Sequence, residues 1–449
     1  MSPHRRPQIR VAVVGGGVAG LAAAHTLQGL AEVSLFEAAG RFGGDAHTLD
    51  VTLPGASGAP VTFTVDTGVL VFNEHTSPNL LALLARQDLA PTEADASFFV
   101  RGGALAWGGP DLGRALSPRR QLMSPRFWRL LADLPRWQRL CAALAPALDT
   151  PDDALLAPLD GFLRARYFSA EFRDAYLLPL CSGFSGRPAH ALLQAPAAAA
   201  LRLWHHHGLP TLGGASPWRG VAGGTRRVVQ ALLAELADAR LSTPVRQLAR
   251  DGQGLRLVTD TQVERFDAVV LACHPDQALR LLGAAASEQE RAVLGAFRFE
   301  PERVVLHTDP SALPAARGDW AAWNVAPAAG PAPASLHVWL NRVQPLPVEQ
   351  PVLLSRNPGE PIAGDRVLGQ WALERPVFDL AALRAQARLP ALQGQGHTWY
   401  AGAWCGNGLF EDGLKAGLHA ARALIDRFAL VPRLSERGAL RQALPGVLA

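Results

Sequence analysis

Three glycines and one glutamate near the start of the chain have the types and spacing that a dinucleotide site requires. Gly15, Gly17 and Gly20 directly follow the apolar run Val11–Val14. Glu37 closes a second β-like run, 20 residues after Gly17. In a strand–turn–helix unit, the first glycine permits the tight turn, the second lets a pyrophosphate approach the helix N-terminus, and the third lets the helix pack on the strand. An acid at this spacing accepts hydrogen bonds from ribose hydroxyls, so the pattern predicts a Rossmann-type site for the ADP half of a cofactor.

A second glycine loop follows the acid. Gly43 and Gly44 offer another place where backbone can meet the pyrophosphate, and Arg41 can supply positive charge. This loop favours FAD over a nicotinamide as the cofactor.

The glycine turn, the acid and the Arg-x-Gly-Gly loop resemble, in this order, the flavin amine oxidase and phytoene-desaturase superfamily. Four later segments resemble it too: Asp66–Gly68, Gly223–Thr225, Trp399–Trp404 and Gly408–Gly417. Ala403 stands where many members have an acid. The resemblance implies FAD, bound by Gly15, Gly17, Val18, Ala19, Gly20, Glu37, Ala38, Arg41, Gly43, Gly44, Thr67, Gly68, Val245, Gly402, Glu411, Asp412, Gly413 and Leu414.

The same resemblance implies an α/β fold with two domains. One is a Rossmann-like, glutathione-reductase-like FAD-binding domain that is discontinuous in sequence, and the other is an inserted α+β substrate domain. The FAD-binding domain would comprise residues 1–75, 216–275 and 395–430. The substrate domain would comprise residues 76–215 and 276–394, and residues 431–449 would form a C-terminal tail.

Lys415 is the only lysine in the chain. True amine oxidases of this superfamily commonly place a lysine near flavin N5 in the substrate-side domain, and this chain has none there. Its absence weakens an amine oxidase interpretation without excluding it. Cys405 does not match the pattern for covalent flavin attachment, and the sequence leaves the mode of attachment open.

Over nearly its whole length the chain is similar to bacterial NAD/FAD-binding flavoproteins related to the N-terminal oxidase-like part of plant cyclopropane fatty acid synthases. The residues that carry this similarity are Asp66–Gly68, Val71–Glu74, Tyr176–Pro179, Ala272–Ala278, Asn341–Pro347 and Glu411–Lys415. The similarity implies a flavin desaturase or oxidase of a modified acyl chain, with a methyltransferase as a partner. A flavin amine oxidase, a nicotinamide dehydrogenase and a non-catalytic flavin-binding protein stay open, and no residue is assigned as catalytic.

Composition limits the partners and the location. The formal charge of +4 and the pI near 9.2 do not demand nucleic acid. Widely spaced cysteines and the lack of an apolar run of ~18 residues predict a cytoplasmic protein. His205–His207 cannot all face one ion on a regular element, so no metal site is predicted.

Residues 124–147 combine aromatic and basic residues at helical spacing that is interrupted by Pro135. The favoured interpretation is a substrate-domain helix with its apolar face in the core and its arginines outside. The alternative is a helix lying on a membrane surface, which would make the protein peripheral at the inner membrane.

Overall fold

The structure is a computed structural model that describes residues 9–102, 105–109, 123–207, 218–252, 254–327 and 330–431. The strands, in chain order, are β1 Arg10–Val14, β2 Glu32–Phe36, β3 Thr48–Pro54, β4 Pro60–Asp66, β5 Phe72–Asn73, β6 Pro91–Glu93, β7 Phe98–Gly102, β8 Leu105–Gly109, β9 Trp218–Val221, β10 Asp238–Arg240, β11 Val245–Asp251, β12 Gly254–Thr259, β13 Val263–Phe266, β14 Ala268–Leu271, β15 Arg298–His307, β16 Trp323–Ala326, β17 Ser335–Trp339, β18 Leu353–Arg356, β19 Val367–Val377 and β20 Thr398–Tyr400. The α-helices are α1 Val18–Leu27, α2 Pro78–Arg86, α3 Pro125–Leu144, α4 Asp153–Leu156, α5 Leu159–Ala165, α6 Ala170–Phe172, α7 Leu178–Ser185, α8 Ala189–Gln194, α9 Ala197–His207, α10 Arg226–Leu233, α11 Pro275–Leu282, α12 Glu288–Leu294, α13 Leu340–Val343, α14 Leu380–Gln386 and α15 Phe410–Phe428.

The chain divides into two compact units, as far as their residues are described. The first consists of Met1–His47, Thr225–Arg298 and Arg384–Ala449. The second consists of Thr48–Gly224 and Phe299–Leu383. Among the residues that the structure describes, no helix has the length and hydropathy that a membrane span would require.

The first unit contains a five-stranded parallel sheet with the order β10-β2-β1-β14-β20. Its central strands β1 and β14 are almost entirely apolar and buried, as expected for strands covered on both faces. The predicted strand at Val11–Val14 is therefore observed as β1, and the sequence order strand, turn, helix, strand is observed from β1 to β2.

A three-stranded antiparallel sheet, β11-β12-β13, also belongs to the first unit. Beside it, the carboxylate of Glu290 accepts two hydrogen bonds from Arg250, at 2.7 and 2.9 Å, and one from the Tyr400 hydroxyl at 2.5 Å. Burial favours the neutral form of Glu290, but these bonds and the Ser287 N–H outweigh it and lower its pKa to about 2. This ion pair ties α12 and β20 to the antiparallel sheet.

The second unit is built on a seven-stranded, mostly antiparallel sheet with the order β19-β15-β18-β17-β16-β7-β8. One hydrophobic cluster joins the sheet to the helices between α3 and α9. Trp137 lies at its centre, with its ring 5.7 Å from those of Phe168 and Phe172 and 5.9 Å from that of Trp204. Large aromatic side chains therefore supply much of this core.

Helix α3 continues through Pro135, so the predicted interruption of the helix there is wrong. Proline in a helix interior removes one backbone hydrogen bond and costs about 3 kcal/mol. Phe127, Leu130, Leu134 and Trp137 are buried on the inner face of α3 on both sides of the proline. Burial of side chains this large contributes more than the proline costs, and tertiary packing keeps the helix intact.

The unit boundaries differ from the predicted domain boundaries at four places. Residues 218–224, the described part of the predicted FAD-binding segment that starts at residue 216, lie in the second unit, where β9 pairs with β5 and β6. Residues 48–75, predicted with the FAD-binding domain, lie in the second unit, because the β3–β4 hairpin buries Val51, Leu53 and Val65 in the core of that unit. Residues 276–298 lie in the first unit, because α11 and α12 pack beside β11 and Glu290 pairs with Arg250. Residues 384–394 also lie in the first unit, where Gln386 and Gln393 bond to the backbone of Trp404 and Tyr400.

Candidate cofactor site

The turn after β1 can be formed only by glycine at two positions. Gly15 has φ of +111°, and a Cβ built on it would lie 2.4 Å from the Ala272 carbonyl oxygen. A Cβ on Gly20 would lie 1.8 Å from the carbonyl oxygen of Gly15. Both clashes are with backbone, which cannot give way without moving the strand or the helix. Gly15 and Gly20 therefore set the close approach of α1 to the end of the parallel sheet.

Gly17 differs from these two glycines because its side-chain space is open. It is the N-cap of α1 with φ of −71°, and the nearest atom to a built Cβ is the Gly44 Cα at 4.0 Å. The fold itself does not require glycine here. A ligand that lies against the exposed backbone would require it, as a pyrophosphate does at a helix N-terminus.

The second glycine loop lies directly against the first. The Gly43 N–H donates to the Gly16 carbonyl at 2.8 Å, and Gly17 and Gly43 form an isolated parallel bridge. Arg41 donates to the Gly44 carbonyl at 2.8 Å, so its guanidinium stabilises the loop that it was predicted to serve. The two predicted glycine loops thus form one backbone surface.

Glu37 points back over the first turn. Its carboxylate accepts hydrogen bonds from the Gly16 N–H and the Ala39 N–H, both at 2.7 Å. Ala38 is exposed between them. Two charge-assisted bonds hold the carboxylate at the end of β2, beside the glycine turn, where the predicted ribose contact would need it.

The chain from β10 to β11 lies beside Glu37. The Thr243 N–H donates to the Glu37 carbonyl at 2.8 Å, and the Ser242 N–H donates to the Ala39 carbonyl at 3.0 Å. Val245, predicted to meet the adenine, begins β11 two residues further on. This segment and the acid therefore lie at the same end of the parallel sheet.

Helix α15 begins next to the beginning of α1. A Cβ on Gly413 would lie 2.7 Å from Val18 Cγ1, and one on Gly417 would lie 2.1 Å from the Ala19 carbonyl oxygen and 3.0 Å from Ala22 Cβ. Gly417 and Ala22 each lie one turn after Gly413 and Val18, so the two helices run in the same direction and their N-termini lie at the same end. Two helix N-termini side by side favour a bound anion there.

The predicted residues in the loop before α15 and in its first turn have varied environments. Gly402 is buried, and a Cβ there would lie 2.2 Å from the Trp404 ring nitrogen. Glu411 and Leu414 are buried. Asp412 accepts the Leu409 N–H at 3.0 Å and caps the helix, while burial raises its pKa. The side chain of Asp412 thus holds the loop before α15.

Arg226 adds positive charge near the second glycine loop, where His47 also lies, and the sequence did not single out either residue. Half-burial, with Arg41 and Arg226 nearby, lowers the pKa of His47 to about 4. Arg226 is the first residue of α10. In each case the sequence signal was a basic residue shortly after a Gly-Gly pair. The positive field of Arg41 and Arg226, which also keeps His47 neutral near pH 7, favours an anionic ligand at this loop.

Thr67 and Gly68 lie in the second unit, directly after β4. Thr67 is buried, and the turn is fixed by Gln344, whose amide accepts from the Asp66 N–H at 3.0 Å and donates to the Asp66 carbonyl at 3.2 Å. Gln344 lies 278 residues away in sequence, so spacing alone gave no sign of this contact.

The described residues contain no group of His, Cys, Asp or Glu arranged to hold a metal. His205–His207 form the last turn of α9, and the adjoining Gly208–Pro210, with which the sequence predicts that they form a turn, lie outside the described residues. The free cysteines Cys273 and Cys405 both have raised pKa values because they are buried.

These features define a class of protein: a dinucleotide-binding α/β protein with its site at the glycine turn of a parallel sheet. The family model for flavin containing amine oxidoreductases matches residues 18–296. This is more than half of the chain, and the chain belongs to that family.

Solved structures share the fold. Cyclohexylamine oxidase from Brevibacterium oxydans IH-35A has a TM-score of 0.69 at 16% identity, covering 94% of this chain and 100% of that one. A CLA-producing fatty acid isomerase from P. acnes has a TM-score of 0.66 at 16% identity, covering 94% and 98%. Putrescine oxidase bound to putrescine has a TM-score of 0.62 at 15% identity, covering 94% and 99%. A search of curated proteins finds no match.

The family and the fold confirm three predictions. The chain is an FAD-dependent oxidoreductase of the amine oxidase-like type, its cofactor is FAD, and its fold combines a Rossmann-like FAD-binding domain with a substrate domain. The open space at Gly17, the held carboxylate of Glu37 and the two helix N-termini fit the ADP half of FAD. The roles of the individual site residues stay predictions.

Proposed function

We propose that this oxidoreductase removes a hydride from a C–H bond of a methylated or cyclopropane-containing fatty acyl lipid, as a desaturase or oxidase. The observation that carries the proposal is the position of Lys415. This sole lysine lies on the exposed face of α15 in the first unit. The lysine that amine oxidases commonly use on the substrate side therefore has no equivalent in the second unit.

One further observation supports an acyl substrate. The fold is shared with a fatty acid isomerase, at a TM-score of 0.66. A methyltransferase that makes the modified acyl chain is the partner that this substrate class implies.

Bound FAD supplies the chemistry by accepting a hydride. The hydride would pass from the acyl carbon to FAD and a proton from the neighbouring carbon to water, which would leave a double bond in the acyl chain. The residues of the first unit would hold the cofactor: the glycine turn would admit the pyrophosphate, Glu37 would bind the ribose, and the N-termini of α1 and α15 would balance the negative charge.

The substrate class is tested by mixing purified holoenzyme anaerobically with candidate substrates and recording flavin absorbance. We expect acyl lipids bearing a methyl branch or a cyclopropane ring to bleach the flavin. Unmodified acyl lipid of the same length should bleach it at least tenfold more slowly. Rapid bleaching by cyclohexylamine or putrescine but by no acyl lipid would establish an amine oxidase instead. Failure of every substrate would favour a non-catalytic flavin-binding protein.

The cofactor contact is tested separately with Gly17→Ala. Because a Cβ at this position has 4.0 Å of space, the apoprotein should fold as the wild type does. A methyl group on this backbone would stand where the pyrophosphate must approach, and we expect FAD affinity to fall at least tenfold. The measurement is titration of apoprotein with FAD, followed by flavin fluorescence. Unchanged affinity for FAD would show that Gly17 does not contact the cofactor.

A further inference from the structure

The outer face of α3 combines positive charge with exposed aromatic surface. Its inner face is buried, which confirms that its apolar residues pack in the core of the second unit. On the outer face, Arg129, Arg136 and Arg139 are exposed together with Trp128, which is 54% exposed, and Arg126 is exposed in the first turn of the helix. Core packing explains the inner face and leaves the composition of the outer face unexplained.

The positive charge of this face is not balanced by the helix itself. The only acid in α3 is Asp133, which is buried, accepts from Arg136 and also accepts the Ser169 N–H at 2.8 Å. Four arginines and one aspartate give α3 a net charge of 4 − 1 = +3. Arg129 pairs with Glu171 at 3.1 Å but stays 64% exposed. The surface therefore offers several guanidinium groups to an anionic partner.

A second exposed aromatic residue stands beside this face. Arg136 donates to the Arg166 carbonyl at 2.7 Å and to the Tyr167 carbonyl at 3.4 Å, which holds the turn after α5 against α3. Tyr167 is 87% exposed and has φ of +56°. This left-handed position after a helix usually takes glycine, and a large side chain there is strained. Neither core packing nor backbone preference accounts for a tyrosine at this position.

Exposed apolar groups are concentrated here. Eight large hydrophobic side chains are exposed in the described part of the chain, and three of them belong to this surface: Met123, Trp128 and Tyr167. Single exposed apolar residues are ordinary, whereas a group of them among arginines marks an interaction site. Trp and Tyr at the level of lipid headgroups, with Arg at phosphates, is the usual composition of a membrane-surface contact.

We propose that the outer face of α3, with Met123 and Tyr167, docks the protein on an anionic lipid bilayer. The arginines contact headgroup phosphates, and the rings of Trp128 and Tyr167 enter the interface between headgroups and acyl chains. This inference goes beyond the proposed reaction, because binding to a bilayer requires no particular acyl substrate and no flavin reduction.

The test is flotation of FAD-loaded protein with vesicles of phosphatidylcholine and phosphatidylglycerol, compared with phosphatidylcholine alone. We expect binding to the anionic vesicles only, and at least tenfold weaker binding when salt rises from 0.05 to about 0.5 M, since salt screens surface charge. Arg126→Glu combined with Arg139→Glu should reduce binding at least tenfold. Trp128→Ala should reduce it severalfold without changing the salt dependence.

The matched control is Arg246→Glu combined with Arg265→Glu, which changes the net charge equally on exposed arginines of the first unit. This control should bind as the wild type does. Retained flavin content shows that each variant is folded. The proposal is overturned if wild-type protein does not float with anionic vesicles, if it binds neutral vesicles equally well, or if the control loses as much binding as the α3 variant. A wild-type dimer that the α3 substitutions dissociate, without vesicle binding, would show instead that this face contacts a second copy.

Discussion

The two compact units depend on different kinds of contact: the first on close contacts between backbone atoms, and the second on the packing of side chains. In the first unit, several contacts at the glycine turn are between backbone atoms, and an added Cβ at Gly15, Gly20 or Gly417 would lie within 2.4 Å of a carbonyl oxygen. In the second unit, the core depends on interlocking rings such as those of Trp137, Phe172 and Trp204. A cofactor site built from backbone demands particular residues at particular positions. A core built from side chains demands volume and tolerates many sequences that supply it.

The strongest test of this difference is to add one methyl group to a helical glycine in each unit. Gly20→Ala places a Cβ 1.8 Å from the Gly15 carbonyl oxygen and should abolish FAD binding, with most of the protein unfolded or insoluble. Gly161, inside α5, has no atom within 4 Å of a built Cβ, so Gly161→Ala should stabilise the second unit by about 0.5–1 kcal/mol. Flavin content and thermal unfolding measure both effects. Normal FAD content in Gly20→Ala would refute the backbone constraint.

Removing an aromatic ring from its core should destabilise the second unit, whereas Gly161→Ala should stabilise it. Trp137 is fully buried, and Trp137→Ala leaves a cavity that should lower the free energy of unfolding by about 3–5 kcal/mol. Trp128 lies on the same helix but faces solvent, so Trp128→Ala should change stability by about 0.5 kcal/mol or less. Urea unfolding followed by circular dichroism compares the two variants. Equal urea midpoints for the two variants would show that the aromatic cluster does not stabilise the core of the second unit.

The same difference explains how much the sequence revealed. The dinucleotide turn was predictable because Gly15, Gly20 and Glu37 act within one short strand–helix–strand unit, where spacing determines contact. The contact between Gln344 and Asp66 could not be predicted from the sequence, because it joins residues 278 positions apart. Pro135 was a misleading signal for a related reason: the packing that holds α3 together comes from distant residues. The approach of Arg226 to His47 depends likewise on the folded path of the chain.

A substitution at Glu37 tests a side-chain contact inside the backbone-built site. Glu37→Gln keeps one acceptor for the Gly16 and Ala39 N–H groups and replaces the other with a donor. Loss of one charge-assisted hydrogen bond costs about 1.5–3 kcal/mol, so FAD affinity should fall roughly 10- to 100-fold. Titration of apoprotein with FAD measures it. Glu32→Gln, at the exposed start of β2, serves as the control and should bind FAD normally.

The last prediction concerns acid and the second unit. Its buried sheet contains a hydrogen-bonded chain in which His307 and His337 both contact the Ser355 hydroxyl at 2.7 Å. The Asp309 N–H donates to His307 Nδ1, so His307 is neutral and its Nε2 donates to the Ser355 hydroxyl, which also bonds to His337 Nδ1. Burial lowers each pKa to about 4, with Asp309 opposing the shift for His307, and His307 and Arg101 adding to it for His337.

The sign of the pH dependence follows from these pKa values. Between pH 6.5 and 4 the unfolded chain binds protons at both positions and the folded chain does not, so stability falls as the pH falls through this window. The slope is at most about 1.4 kcal/mol per pH unit for each histidine. His337→Asn keeps an acceptor near Ser355 and removes one titrating group, so its urea midpoint should fall less between pH 6.5 and 4 than that of the wild type. An unchanged slope in the variant would mean that acid sensitivity resides elsewhere, for example at His47 in the cofactor loop, where FAD binding should then suppress it.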